Sequence, residues 1–79
     1  MKEEIIIKET FNELEKAKIK FPSYPKDFVY GIAIMVEEAG EALQASLDFS
    51  RGEGNVEKIK TEVFHTLAMG FRFLLNLTE

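Results

Sequence analysis

The chain has 79 residues, no cysteine and a formal net charge of −4. This length predicts a single domain, residues 1–79, and a monomer of this size buries only about 60% of the surface that its unfolded chain exposes. The acidic charge argues against a nucleic-acid partner, the lack of cysteine fits a reducing cytoplasm, and the short apolar run near the N-terminus predicts neither a signal peptide nor a membrane anchor.

Turn-forming residues divide the chain into three predicted helices, at about 3–20, 25–49 and 55–78. The breaks are FPSYP at 21–25 and SRGEGN at 50–55, which contain the X-Pro steps and glycines typical of turns. No segment alternates as a strand would. We therefore predict an all-α fold, an antiparallel helical hairpin or bundle of about three helices per chain that is completed by oligomerisation.

The first two predicted helices are amphipathic. The first has Ile7, Phe11 and Leu14 on one side, and the second is expected to begin with Pro25 in its first turn and Asp27 near its positive end. At about 100° per residue, the apolar residues of the second helix share one broad arc, and its acidic residues share the opposite one. The apolar arc consists of Phe28, Val29, Ile32, Met35, Val36, Ala39, Leu43 and Leu47.

The third predicted helix is more apolar, and only a narrow polar stripe runs along it. This stripe consists of Lys58, Glu62, His65, Met69, Arg72 and Asn76. A helix of about 24 residues is about 36 Å long, so the second and third helices predict an elongated hairpin. Because one shorter helix cannot cover two long apolar faces, we predict that another copy of the chain covers the rest, in a dimer or a tetramer.

The net charge is concentrated in residues 27–49, which carry five acids and no base. The stretch VEEAGEALQ supplies three of these acids, Glu37, Glu38 and Glu41. Glu38 and Glu41 are three residues apart, a spacing that places two side chains side by side on a helix. The segment therefore presents two carboxylates to one point.

A second pair with the same spacing, Glu62 and His65, lies on the third helix. Folding of the hairpin would bring this pair opposite Glu38 and Glu41, because Glu41 and Glu62 lie at comparable heights above the loop. The expected cluster has three carboxylates and an imidazole, with Glu37 at its edge. Oxygen ligands of this kind suit Mg²⁺ or Mn²⁺.

An acidic face without a metal is the alternative interpretation. Exposed like-charged pairs on a helix cost only about 0.2–0.5 kcal/mol each, so a solvated stripe would be tolerated. His65 is then a surface or glutamate-paired histidine, and Lys58 forms an ordinary i, i+4 ion pair with Glu62. Helical spacing alone leaves both interpretations open.

The two pairs together resemble the signature of the MazG-like all-α nucleoside triphosphate pyrophosphohydrolases. The pattern E-E-x-x-E stands here at residues 37–41, and the second pattern, E-x-x-D in the family, stands at 62–65 with His65 in place of the aspartate. The resemblance covers about residues 21–75. It implies hydrolysis of a nucleotide substrate between the α and β phosphates, giving a monophosphate and pyrophosphate, by a dimer or tetramer.

The resemblance also implies roles for single residues. Mg²⁺ would be held by residues on both helices, and Mn²⁺ is the alternative cation. Glu37 would orient or deprotonate the attacking water, and two basic residues of the polar stripe are expected to contact phosphates. The implied metal ligands are Glu38, Glu41, Glu62 and His65, the implied catalytic residues are Glu37, Glu38 and Glu41, and the expected phosphate contacts are Lys58 and Arg72.

Two other functions are compatible with these residues. Glu-x-x-His on one helix with a glutamate from another is the ligand set of di-iron helical bundles, and imidazole suits Mn²⁺, Fe or Zn²⁺ better than Mg²⁺. The three clustered glutamates of VEEAGEALQ favour the pyrophosphohydrolase, since a di-iron site does not need them. A helical assembly module without chemistry is the third hypothesis.

Overall fold

A computed structural model describes residues 1–77, and in this part of the chain all regular structure is helical. The helices are α1 (Glu3–Lys20), α2 (Phe28–Ser50) and α3 (Val56–Leu75). The predicted all-α fold is confirmed, and α1 has the predicted bounds. The third helix ends at Leu75, and residue 78, where it was expected to end, lies outside the described residues.

Asparagine and aspartate side chains define where α2 and α3 begin. Asp27 caps α2, and its Oδ1 accepts a hydrogen bond of 3.0 Å from the backbone N–H of Val29. Asn55 caps α3 in the same way, with a bond of 2.8 Å from the N–H of Lys58. Such caps satisfy backbone donors that the first helical turn leaves free. The expectation that Pro25 lies in the first turn of α2 was therefore wrong, because the helix starts after Asp27.

Two glycines reverse the chain between α2 and α3. Gly52 and Gly54 have φ angles of 82° and 68°, a region that side chains with a Cβ rarely adopt. The N–H of Glu53 also donates a 2.8 Å hydrogen bond back to the carbonyl of Asp48. The short loop folds α2 and α3 into the predicted antiparallel hairpin.

The third helix is the centre of the fold, because both other helices pack on it. Two glycines lie in its contact with α2, Gly31 against Phe73 and Gly70 against Met35. A Cβ on Gly31 would lie 3.0 Å from atoms of both Phe73 and Tyr24, so this close approach favours glycine. The contact with α1 is built around Leu14, which is buried, and around an edge-to-face pair of the Phe11 and Phe71 rings.

Large apolar side chains point away from these contacts. We define the outer face as Val29, Val36 and Leu43 of α2 with Val63, Leu67 and Leu74 of α3, whose exposed fractions run from 42% to 77%. Most of the apolar arc of α2 is exposed, although Phe28 packs edge-to-face on Phe73 of α3 and Met35 lies against Gly70 of α3. The polar stripe of α3 faces the inside of the fold, and two of its residues, Glu62 and Arg72, are buried.

The predicted elongated shape is confirmed. The principal extents are 44 × 27 × 21 Å, and the radius of gyration is 13.5 Å, whereas a compact domain of this length has about 12 Å. Among residues 1–77, no helix combines the length and the apolar character needed to cross a lipid bilayer.

Candidate metal centre

Glu38, Glu62 and His65 meet where α2 packs on α3. One ligand atom from each lies within 4.8 Å of the other two. His65 Nδ1 is 3.7 Å from Glu38 Oε2 and 3.7 Å from Glu62 Oε2. Glu62 and His65 lie one turn apart on α3, as their spacing predicted, and the hairpin brings Glu38 to them from α2.

Glu62 is the most buried acid of this cluster, with 3% of its surface exposed. Its Oε1 is paired with Lys58 Nζ at 2.9 Å, whereas its Oε2 has no hydrogen-bond partner and is shielded from solvent. Glu38 Oε2 is shielded and unpartnered in the same way. Leaving a buried acceptor unsatisfied costs about 1–3 kcal/mol, and more for a charged group. These two oxygens fit a divalent cation, which prefers hard oxygen ligands.

Glu41 lies beside the cluster on the exposed side of α2. The adjacent carboxyl group of Glu62, with which Glu41 would share a proton, raises the pKa of Glu41 above its ordinary value of 4.5, and the charges of Glu38 and Glu62 add to this effect. The hydrogen bond from Lys58 lowers the pKa of Glu62, although burial opposes this effect. Protons therefore bind Glu41 in preference to Glu62, and the inner carboxylate keeps its charge.

A fourth acid, Glu13 of α1, reaches the same histidine. Glu13 Oε2 is 3.2 Å from His65 Nε2, and its Oε1 pairs with Lys16 Nζ at 3.2 Å. Sequence analysis missed Glu13, because α1 carries no recognisable ligand pair. The available signal was weak: Glu13 borders the apolar stripe one turn before Ala17, whereas Glu15 points outward.

Two other residues predicted for the site, Glu37 and Lys58, lie at its exposed edge. Glu37 is exposed and borders the groove described below. Lys58 is exposed and held by Glu62, whose hydrogen bond and charge raise the pKa of Lys58. The structure thus brings together Glu38, Glu62 and His65, with Glu41 and Lys58 beside them.

Arg72 is buried and lies apart from the carboxylates, at the C-terminal end of α1. Its Nη1 donates a 3.2 Å hydrogen bond to the carbonyl of Ala17, and Nη2 donates one of 2.5 Å to that of Phe21. The guanidinium lies 5.1 Å from the centre of the Tyr24 ring, a cation–π distance. These contacts join α3 to the C-terminal end of α1, so the guanidinium is engaged within the fold.

A groove with a volume of about 860 Å³ opens beside the cluster, between α1, residues 21–25, α2 and α3. Glu38 and His65 form part of its wall, and lysines and aromatic rings form other parts. Burial raises the pKa of the Tyr24 hydroxyl in this wall, and the charge of Arg72 partly offsets the effect. The basic and aromatic residues along the groove are Lys16, Lys20, Phe21, Tyr24, Tyr30 and Arg72.

No protein-family model, no curated protein and no solved structure matches the chain. The functional proposal therefore rests on the carboxylates, the histidine and the groove.

Proposed function

We propose that the protein is a divalent-metal-dependent nucleoside triphosphate pyrophosphohydrolase of the MazG-like type. It would cleave the anhydride bond between the α and β phosphates with water, releasing a nucleoside monophosphate and pyrophosphate. The observation that carries this proposal is the buried and unpartnered oxygen of Glu62, which faces a carboxylate from α2. A solvated acidic stripe would not bury such an oxygen, because water would then satisfy it.

Residues of two kinds would act at the reacting atoms. Glu38, Glu41, Glu62 and His65 would hold Mg²⁺ or Mn²⁺, which when bound neutralises phosphate charge and makes water more acidic. Glu37, exposed at the edge of the groove, would accept a proton from the attacking water.

The groove offers contacts for the rest of the nucleotide. Lys20 is an exposed cation on its wall that is suited to phosphate oxygens, and Lys16 is a second one that would first leave Glu13. Lys58 would contact phosphate only by leaving Glu62, and Arg72 only by leaving the carbonyls of α1. We therefore assign Arg72 chiefly to holding α1 beside the groove.

The proposal includes a homo-oligomer. A compact monomer of 9.0 kDa exposes about 4,900 Å², whereas this chain exposes 5895 Å². The excess is close to the roughly 800 Å² that each partner buries in a standard interface. The outer face repeats every seven residues at 29, 36 and 43 and, on α3, at 67 and 74, which is the spacing of packed helix pairs. A second copy would cover this face in a dimer or tetramer.

Sedimentation tests the oligomer. Val36→Glu and Leu67→Glu on the outer face should release monomers. Ile19→Glu is the matched control, because Ile19 is apolar and 80% exposed but lies on α1. A wild-type chain that sediments as a monomer at micromolar concentration would contradict this part of the proposal.

Pyrophosphate release from a panel of nucleoside triphosphates tests the chemistry. With Mg²⁺ or Mn²⁺ present, we expect turnover by the wild type and at least about a hundredfold loss in Glu41→Gln. Glu53→Gln, which removes the same charge from the α2–α3 loop, should keep full activity. Absence of release from every nucleotide with either cation would refute the hydrolase.

A di-metal oxidoreductase or storage site is the second candidate, favoured by Nδ1 of His65 facing both Glu38 and Glu62. It would be built from Glu-x-x-His of two copies with glutamates of α2. Purification with bound iron and a visible oxo-bridge absorption band would decide for it. A colourless protein that releases pyrophosphate would decide against it.

A further inference from the structure

We propose that Glu13 is a positioning residue that turns His65 into a metal ligand. Glu13 would accept a hydrogen bond from Nε2–H of His65, which leaves the lone pair of Nδ1 directed at Glu38 and Glu62. The inference rests on the proposed cation site and assigns a role to a residue of α1 outside the predicted motifs.

The two nitrogens of His65 have different surroundings. Nε2 is 3.2 Å from Glu13 Oε2, within hydrogen-bonding distance, whereas Nδ1 is 3.7 Å from each inner carboxylate. In a neutral imidazole one nitrogen carries the hydrogen and the other carries the lone pair. The nearer carboxylate therefore attracts the hydrogen to Nε2.

The buried oxygens point to a ligand on the Nδ1 side. Glu62 is almost fully buried, and its Oε2 is unpartnered, as is the shielded Oε2 of Glu38. A cation between them would accept electron pairs from two oxygens and one nitrogen. A histidine ligand whose other nitrogen donates to a carboxylate is the usual arrangement around protein-bound metals.

This arrangement gives each helix a separate part in the site. The second helix supplies Glu38, α3 supplies Glu62 and His65, and α1 supplies the carboxylate that orients the ring. One nitrogen among oxygen ligands shifts preference from Mg²⁺ towards Mn²⁺ or Zn²⁺. We therefore expect Glu13 to strengthen Mn²⁺ and Zn²⁺ binding more than Mg²⁺ binding.

His65 is the single histidine of the chain, so its ring nitrogens can be read directly by ¹⁵N NMR. At alkaline pH and without metal, we expect the hydrogen on Nε2, seen as an upfield ¹⁵N resonance, and the lone pair on Nδ1. Glu13→Ala should mix the two tautomers. Glu15→Ala is the matched control, because Glu15 also pairs with a lysine, Lys18 at 3.2 Å, but faces outward with 65% of its side chain exposed.

Calorimetric titration with Mn²⁺ alone gives the second readout. Removing a carboxylate that orients a metal-bound histidine typically costs about tenfold to a hundredfold in affinity, and we expect this loss in Glu13→Ala. Lys16→Ala should keep the wild-type affinity, which excludes the broken Glu13–Lys16 pair as the cause. In a His65→Asp background, Glu13→Ala should cause no loss, because no ring remains to be oriented.

The outcomes separate this inference from the hydrolase. Hydrogen on Nδ1 in the wild type, an unchanged tautomer in Glu13→Ala, or no Mn²⁺ binding would overturn the positioning role. Equal losses of affinity with His65 and with Asp at position 65 would also overturn it, since Glu13 would then act by its charge alone. The expected tautomers and affinities without any pyrophosphate release would leave the positioning role intact and refute only the hydrolase.

Discussion

Glu62 and Arg72 are two buried charges on one helix, exposed by only 3% and 5%, and they differ in how their polar atoms are partnered. Arg72 gives its hydrogen bonds to two carbonyls at the end of α1 and lies over the ring of Tyr24. Glu62 has one oxygen paired with Lys58 and one without a partner. Burial alone therefore does not distinguish a structural charge from a candidate ligand, whereas the unpartnered atom does.

The largest expected effect is on the satisfied charge. Arg72→Ala removes two charge-assisted hydrogen bonds and the contact with the Tyr24 ring that hold the C-terminal end of α1 on α3, so we expect a loss of about 3 kcal/mol in the free energy of unfolding. Urea denaturation measures it. Arg51→Ala, at an exposed arginine, should change stability by no more than about 0.5 kcal/mol. A loss as small for Arg72 would remove the distinction between the two buried charges.

Glu62, whose Oε2 has no partner, should contribute to stability mainly when a cation is bound. Without metal, Glu62→Gln should change the free energy of unfolding by no more than about 1 kcal/mol, because the lost pair with Lys58 is offset by weaker repulsion among the acids. With Mn²⁺ at a hundred times its dissociation constant, the wild type should gain about 2.7 kcal/mol, and Glu62→Gln should gain nothing. Thermal unfolding with and without Mn²⁺ measures both. Equal stabilisation of both proteins would show that the cation binds elsewhere.

The pH dependence of stability should differ in sign between Glu62 and Glu41. The pKa of Glu62 is lowered, so its contribution is stabilising above pH 4.5 and is lost as the pH falls through the lowered pKa. The pKa of Glu41 is raised, so its ionisation destabilises the fold above the raised pKa, and this penalty is relieved as the pH falls towards 4.5.

Urea unfolding of the metal-free protein, from neutral pH down to below about pH 4.5, measures this difference. Glu41→Gln should be more stable than the wild type at neutral pH, with the advantage vanishing below about pH 4.5. Glu53→Gln provides the effect of net charge alone. An advantage that persists in acid would mean that the Glu41 carboxylate is not the source of the penalty.

The smallest expected effect concerns Gly40 on the exposed side of α2, away from Glu62 and Arg72. A Cβ on Gly40 would meet nothing within 4 Å, so Gly40→Ala should stabilise the helix by about 0.5–1 kcal/mol. Gly31→Ala, on the same helix, should destabilise because its Cβ would lie 3.0 Å from Phe73 and Tyr24. Chemical denaturation of both variants checks this contrast. A loss of stability in Gly40→Ala would mean that another copy packs against this side.

Much of the fold followed from local sequence. The prolines at 22–25 and the glycines at 52 and 54 marked the breaks between the helices, although the start of α2 was placed three residues too early. The i, i+3 pairs placed Glu38, Glu62 and His65 on facing turns. The orientation of the helices could not be predicted in this way, because helical periodicity identifies an apolar arc but not what covers it. Here Gly31 and Gly70 allow α2 and α3 to approach closely, and most of the larger side chains of the arc are left outside.

The site was predictable in its ligand pairs and not in its supporting contacts. Spacing within one helix relates Glu62 to His65, whereas Glu13 and Arg72 depend on how α1 docks. The docking of α1 places two carbonyls at the guanidinium of Arg72 and one carboxylate at the ring of His65. No local pattern in α1 indicates either contact, so these roles emerge only in three dimensions.

The attachment of α1 has a consequence for local unfolding. The first helix is held at one end by Arg72, in the middle by Phe11 and Leu14, and not by any chain connection to α3, so it should open as a unit at lower free energy than the whole fold. Each opening would carry Glu13 away from His65. A cation that binds only the assembled site would then slow hydrogen exchange along α1. Exchange in α1, which supplies no metal ligand, would therefore measure how much of the metal site is occupied.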